Sequence, residues 1–71
     1  MMKIEVGSYV RIVREYPANR NLENQTGHIV ALPNEDHPNE YLVKLDGGVI
    51  LNPHLVGMLV MVPANSLEVA R

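Results

Sequence analysis

The apolar segments of this chain are all short, and none repeats with the spacing of a helix. Most of them are bounded by glycine, proline or asparagine, residues that favour turns over continued secondary structure. Runs of about four to eight apolar or β-branched residues between such turn signals are typical of β-strands. The pattern therefore predicts an all-β protein whose helix content is limited to one short turn.

Five segments carry the strand pattern. The predicted strands are residues 8–14, 26–32 and 41–45, a fourth element that opens at 49–51 and resumes at 57–62, and Leu67–Val69. The sequence Asp46-Gly47-Gly48 predicts a hairpin turn after the third strand. The proline in Asn52-Pro53-His54 interrupts the fourth element, which should be extended or split. Residues 64–66 suit the single helical turn.

The length of 71 residues allows one hydrophobic core, so we expect a single domain over residues 1–71. Cysteine is absent, which excludes disulfides and thiolate metal sites and fits a reducing compartment. The start of the chain has no apolar run long enough for a signal peptide. We therefore expect a cytoplasmic protein.

Charge is unevenly distributed along the chain. The net charge is −2, and no Asp, Glu, Lys or Arg occurs between Gly47 and Leu67. The longest uninterrupted apolar piece, residues 55–62, suits a strand and is too short to cross a bilayer, which takes about 20 residues. Lys and Arg are not clustered, so the sequence lacks the basic footprint of a nucleic-acid-binding protein.

The order of these signals resembles a known group of folds. The motifs are Val6-Gly7-Ser8-Tyr9-Val10-Arg11-Ile12, Thr26-Gly27-His28-Ile29, the stretch from Tyr41 to Gly48, and the stretch from Val62 to Val69. Together they resemble SH3-like barrels with a KOW-type opening, such as photosystem I reaction-centre subunit IV, the variable subunit of ferredoxin-thioredoxin reductase and the β-subunit barrel of nitrile hydratase. The resemblance implies a five-stranded SH3-like barrel. It implies no single function, because many functions share this fold.

The residues that catalysis would need are sparse. His28, His37 and His54 match no zinc spacing, and no serine or threonine lies in a nucleophile motif. The sharpest enzyme hypothesis is a plasmid-type dihydrofolate reductase, whose pore-lining Val-Gln-Ile-Tyr-Pro stretch would correspond to residues 59–63. Val60 and Val62 stand where that family has glutamine and tyrosine. We therefore predict no catalytic residues, no metal site and no cofactor, with a small oligomeric reductase as the third alternative.

Protein binding is the function that the sequence favours. The resemblance puts the long first loop beside a shallow groove, and Tyr and Arg are the residues that most often anchor interfaces. The candidate binding residues are Tyr9, Arg11, Arg14, Tyr16, Arg20 and Glu23. We expect an accessory or regulatory subunit that binds a protein partner. The alternative is a KOW-like nucleic-acid contact through Arg11, Arg14, Arg20 and Lys44, which the lack of Phe and Trp for base stacking disfavours.

Residues 55–62 form the most unusual segment, because they are apolar on both faces of a strand. A strand with one solvent-exposed face would carry a polar residue at every second position. Either both faces are covered within one chain, or one face meets another chain. We expect this strand to support docking or formation of a homo-oligomer. The candidate self-association residues are Leu55, Val56, Met58, Leu59, Val60 and Met61.

Overall fold

The computed structural model describes residues 4–14, 22–47 and 53–70. Five strands occur in these residues: β1 Tyr9–Ile12, β2 Thr26–Ala31, β3 Glu40–Leu45, β4 Leu59–Pro63 and β5 Leu67–Val69. The 3-10 helix Ala64–Ser66 connects β4 to β5. The predicted all-β fold with one short terminal helical turn is confirmed.

All five strands belong to one antiparallel sheet with the order β4-β3-β2-β1-β5. Its inner face carries the core, in which Val10, Ile12, Val43 and Val62 have no exposed surface. Each of these residues alternates with a more exposed neighbour along its strand, as expected of a sheet with one buried face. The arrangement is consistent with a small barrel, but the sheet is not closed, since β4 and β5 are its two edges.

Residues 15–25 contain a proline and three asparagines, which predict a long exposed loop, but the segment just before β2 contributes to the core. Leu22 is buried in the core cluster. Asn24 has a φ of 72°, a left-handed conformation that asparagine tolerates better than most residues, and its N–H donates to the carbonyl of Ile12. This reversal ties residues 22–25 to the end of β1. Residues 15–21 lie outside the described residues.

Gly27 lies where β2 crosses the middle of the sheet. It is opposite Val10 on β1 and Leu45 on β3. A Cβ atom at this position would overlap the carbonyl oxygen of Lys44 and would lie 2.9 Å from its carbonyl carbon. The backbones of β2 and β3 therefore approach each other closely at Gly27.

The connection between β3 and β4 differs from the tight hairpin that Asp46-Gly47-Gly48 predicts. Leu45 donates to the carbonyl of Met58 and accepts from the N–H of Gly57, so the strand that returns beside β3 begins after Gly57. Gly57 has a φ of 80°, and with the Met58-to-Leu55 hydrogen bond it forms a turn leading into a bulge of the glycine type. The predicted strand opening at 49–51 lies outside the described residues.

Candidate protein-interaction surface

Tyr9 is fixed on the outer face of β1 by a polar cluster. Its hydroxyl donates to Oδ2 of Asp46 at 2.9 Å, and the Thr26 hydroxyl donates to Oδ1 of the same carboxylate at 2.6 Å. The Tyr9 ring lies 5.0 Å from the His28 ring, which is directly opposite on β2. The cluster connects β1, β2 and the end of β3. Tyr9 therefore presents its ring from a fixed position, and its hydroxyl is already bound within the chain.

The charged binding candidates that lie in the described part of the chain form no ion pair with one another. Arg11 forms an ion pair with Glu68 at 2.8 Å across β1 and β5, and both side chains are about half exposed. Arg14 and Glu23 are exposed, and both lie on the connection between β1 and β2. Tyr16 and Arg20 lie outside the described residues. Of the candidate binding set, Tyr9 and Arg11 share the outer face of β1.

The self-association candidates differ in how far they are exposed. Val56, Met58 and Leu59 are exposed, by 54%, 44% and 56% respectively. Leu55 packs against the core, and Val60 is a core residue that is only 8% exposed. Met61 is half buried on the outer face of β4.

An apolar patch covers the outer face of the sheet where β2, β3 and β4 lie side by side. Met61 is opposite Leu42, which is opposite Ala31, so these three residues form a row across the strands. Leu59 lies on the same face of β4, two residues before Met61, and Val30 is exposed where a bulge shifts the β2 register. We call these five residues the outer patch. Val30 and Leu59 are exposed, and Ala31, Leu42 and Met61 are partly buried.

Three residues of the outer patch, Val30, Ala31 and Leu42, were not among the sequence candidates. The signal for them was present, since residues 29–32 and 41–43 are apolar at both odd and even positions, as residues 55–62 are. Their proximity depends on strand pairing, which local sequence does not give.

The rest of the outer face is polar. A second row runs Leu59, Lys44, His28 and Tyr9 across four strands. The outer patch is therefore bordered on one side by an aromatic ring, an imidazole and an ammonium group. An apolar centre with a polar rim is the usual composition of a protein–protein interface.

The outer edge of β4 offers unpaired backbone groups. Leu45 exchanges hydrogen bonds at Met58 and Gly57, and the N–H of Ala64 donates to Asn39 at the other end of the strand. Backbone groups in an antiparallel pair point alternately toward and away from the partner strand. Between those two ends, the backbone N–H and C=O groups of Val60 and Val62 therefore point toward β3. The N–H and C=O groups of Leu59 and Met61 point away from β3, to the side where no described strand pairs with them.

The groups that could do chemistry are scattered over the described residues. These residues contain no set of three or more His, Asp or Glu side chains placed to hold a metal. Asn34 accepts hydrogen bonds from the N–H groups of Asp36 and His37, which folds the acidic loop into a turn. A depression of about 310 Å³ is lined by Asn39, Pro63, Ala64 and Asn65, none of which titrates near neutral pH.

The stretch that corresponds to the pore of the reductases has its two key positions inside this chain. Val60 and Val62 are core residues opposite Val43 and Tyr41 of the neighbouring strand. The side chains of both residues face the core of the sheet and not its surface.

Comparison with known proteins supplies no relative: no family model, no curated protein and no solved structure matches this chain. No helix among residues 4–14, 22–47 and 53–70 is long and apolar enough to cross a membrane.

Proposed function

We propose that this chain is a non-catalytic protein-binding module of the SH3-like kind, a small accessory or regulatory subunit that docks through the outer face of its sheet. The observation that carries the proposal is the outer patch, a partly exposed apolar area on the outer face of the sheet. Leu42, Met61 and Leu59 are its centre, and Tyr9, His28 and Lys44 form its rim.

The SH3-like assignment is supported by the order of elements. The strand β1 pairs with both β2 and β5, and the 3-10 helix separates β4 from β5, as the resemblance of the sequence implies. In this arrangement the outer face of β2, β3 and β4 exposes Val30 and Leu59 and part of Ala31, Leu42 and Met61. The cost of exposing such apolar surface is about 25 cal/mol per Å², so a partner that covers it gains affinity.

The partner should present an apolar side chain to Leu42 and Met61 and an acidic group to Lys44. Lys44 is exposed, and its neighbours across the strands, Leu59 and His28, offer it no carboxylate. A protein surface or segment with leucine, isoleucine or phenylalanine next to glutamate or aspartate has this chemistry.

A KOW-like nucleic-acid contact is the second hypothesis, and charge separates the two. Among the described residues, Arg11 is paired with Glu68, and the exposed cations Arg14 and Lys44 lie on different parts of the fold. Arg20, the fourth cation of this hypothesis, lies outside the described residues. Binding to a phosphate backbone requires clustered cations and weakens steeply with salt. Docking on an apolar patch depends far less on salt.

The test is affinity capture from extract of the source cells with the immobilised protein, followed by reconstitution with the purified partner. Leu42→Glu places a charge in the middle of the outer patch and should weaken the complex at least tenfold, since charge at the centre of an apolar contact removes a hot spot. Asn65→Glu is the matched control, because it adds the same charge at an exposed site in the 3-10 helix.

The expected result is one protein that survives nuclease treatment and raised salt, binds wild type and Asn65→Glu equally, and is lost with Leu42→Glu. Capture of nucleic acid, with affinity that falls steeply as salt rises, would establish the second hypothesis instead. A partner that binds Leu42→Glu as tightly as wild type would refute docking on the outer patch.

A further inference from the structure

The two edges of the sheet are protected very differently. The β5 edge is three residues long and carries the ion pair between Arg11 and Glu68 beside it. The β4 edge is five residues long, has no charged side chain and carries one proline at its end, Pro63. Short length, charge and proline are the usual protections of an edge strand against pairing with another chain. Over Leu59 to Val62 the β4 edge has none of them.

We propose that β4 is a dimerisation edge: two copies of this chain pair antiparallel along it and form one continuous sheet. The outward backbone N–H and C=O groups of Leu59 and Met61 require an extended strand as their partner. Only a strand supplies hydrogen-bond donors and acceptors at the spacing of these two residues. A second copy supplies the same strand.

The pattern of outward groups selects one register. If Leu59 is placed opposite Met61 of the second copy, a two-fold axis passes at Val60. Each chain then contributes two N–H and two C=O groups, from Leu59 and Met61, and all of them are paired. A register that places Met61 opposite itself puts Leu59 opposite Pro63, which has no N–H to donate, and leaves a carbonyl of Leu59 unpaired.

Side chains fit the same register. The row Lys44-Leu59 on one copy continues into Met61-Leu42 on the other, so the outer patches of both copies join across the axis. No charged residue of β4 meets its own copy, since the strand contains none. The two Lys44 side chains are separated by three strand spacings, about 14 Å, which exceeds the screening length of about 8 Å at physiological salt.

The inference is separate from the proposed function, because it concerns the backbone edge and not the side chains that a partner would cover. Dimerisation through β4 and binding of a partner are compatible, because the outer patches of both copies form one continuous surface in the dimer. An edge-only contact between strands of this length is small, so we expect a weak dimer that forms at roughly 100 µM and dissociates on dilution.

Backbone N-methylation tests the edge without changing a side chain, and a chain of 71 residues can be made by chemical synthesis. N-methyl-Leu59 removes an outward donor from each copy and blocks close approach of a second strand. The matched control is N-methyl-Val69, whose N–H points outward from the β5 edge, since Ala70 donates to Tyr9 and Glu68 is opposite Arg11. Sedimentation equilibrium gives the dissociation constant of each protein.

The expected result is a dimer for wild type and N-methyl-Val69, with a dissociation constant at least tenfold higher for N-methyl-Leu59. A wild type that stays monomeric up to about 1 mM, or an N-methyl-Leu59 protein that dimerises as well as wild type, would overturn the inference.

Disulfide trapping tests the register independently and does not depend on folding of the methylated chain. The native chain has no cysteine, and residues directly opposite on paired strands are about 5.5 Å apart at Cα, within reach of a disulfide. A mixture of Leu59→Cys and Met61→Cys should form the mixed disulfide dimer faster than either variant dimerises alone. Equal rates for the mixture and the separate variants would exclude this register.

Discussion

Replacing Gly27 with alanine should damage the fold more than its small size suggests. The added Cβ would overlap the Lys44 carbonyl and lie 3.0 Å from the Cα of Leu45. These are backbone atoms in the centre of the sheet, so relief requires β2 and β3 to move apart. Overpacking of this kind costs about 1–3 kcal/mol and more when the backbone must shift, so we expect about 3 kcal/mol.

That loss is large for a domain of this size. At ~0.05–0.15 kcal/mol per residue, a chain of this length has a free energy of unfolding of about 4–10 kcal/mol. With an m-value of about 1 kcal/mol per M, the urea midpoint of Gly27→Ala should fall by about 3 M. Far-UV circular dichroism at a few micromolar protein measures it, well below the concentrations at which we expect dimers.

Gly57→Ala is the matched control for this prediction. Gly57 has a φ of 80°, and a Cβ added to it would meet no atom within 4 Å. Alanine there costs only the left-handed backbone conformation, about 1–2 kcal/mol. If Gly27→Ala is as stable as wild type, or more stable than Gly57→Ala, the close approach of β2 and β3 is not what requires glycine at position 27.

Three further predictions concern the polar cluster, the ion pair and the core. Tyr9→Phe removes the hydrogen bond to Asp46 and should lower the free energy of unfolding by about 1 kcal/mol in urea titrations, whereas no loss would make that bond irrelevant to stability. A double-mutant cycle on Arg11 and Glu68 should give a coupling below about 1 kcal/mol that vanishes at high salt, and a larger, salt-independent coupling would contradict the exposed geometry. Ile12→Ala should cost about 2–5 kcal/mol and Leu59→Ala under about 0.5 kcal/mol in dilute protein, and a cost for Leu59→Ala as large as that for Ile12→Ala would mean that β4 faces the core through Leu59.

The elements whose signals are local were predicted well from the sequence. Pro63 ends β4, and residues 64–66 and Leu67–Val69 form the expected helical turn and closing strand. The alternation of Val10 and Ile12 with polar neighbours gave the inner face of β1 correctly.

The features that depend on pairing between distant residues were not predictable in the same way. Asp46-Gly47-Gly48 is a strong hairpin signal. However, β3 pairs with the strand that buries Val60 and Val62 in the core, so the return strand begins later in the chain than a tight hairpin would place it. Residues 55–62 are apolar on both faces of the strand. The alternation of side chains along the strand therefore could not show that Val60 faces the core and Leu59 faces the solvent. Val30, Ala31 and Leu42 join Met61 only because the β2, β3 and β4 strands are neighbours.

The central claim is that the exposed side of β4 is where this protein meets other chains. Residue-resolved hydrogen exchange by NMR tests it at the backbone itself. At low protein concentration the outward amides of Leu59 and Met61 should exchange rapidly, as should that of Val69 on the opposite edge. At high concentration Leu59 and Met61 should become protected while Val69 does not. Exchange at Leu59 and Met61 that is independent of concentration, or protection at Val69 instead, would contradict the account.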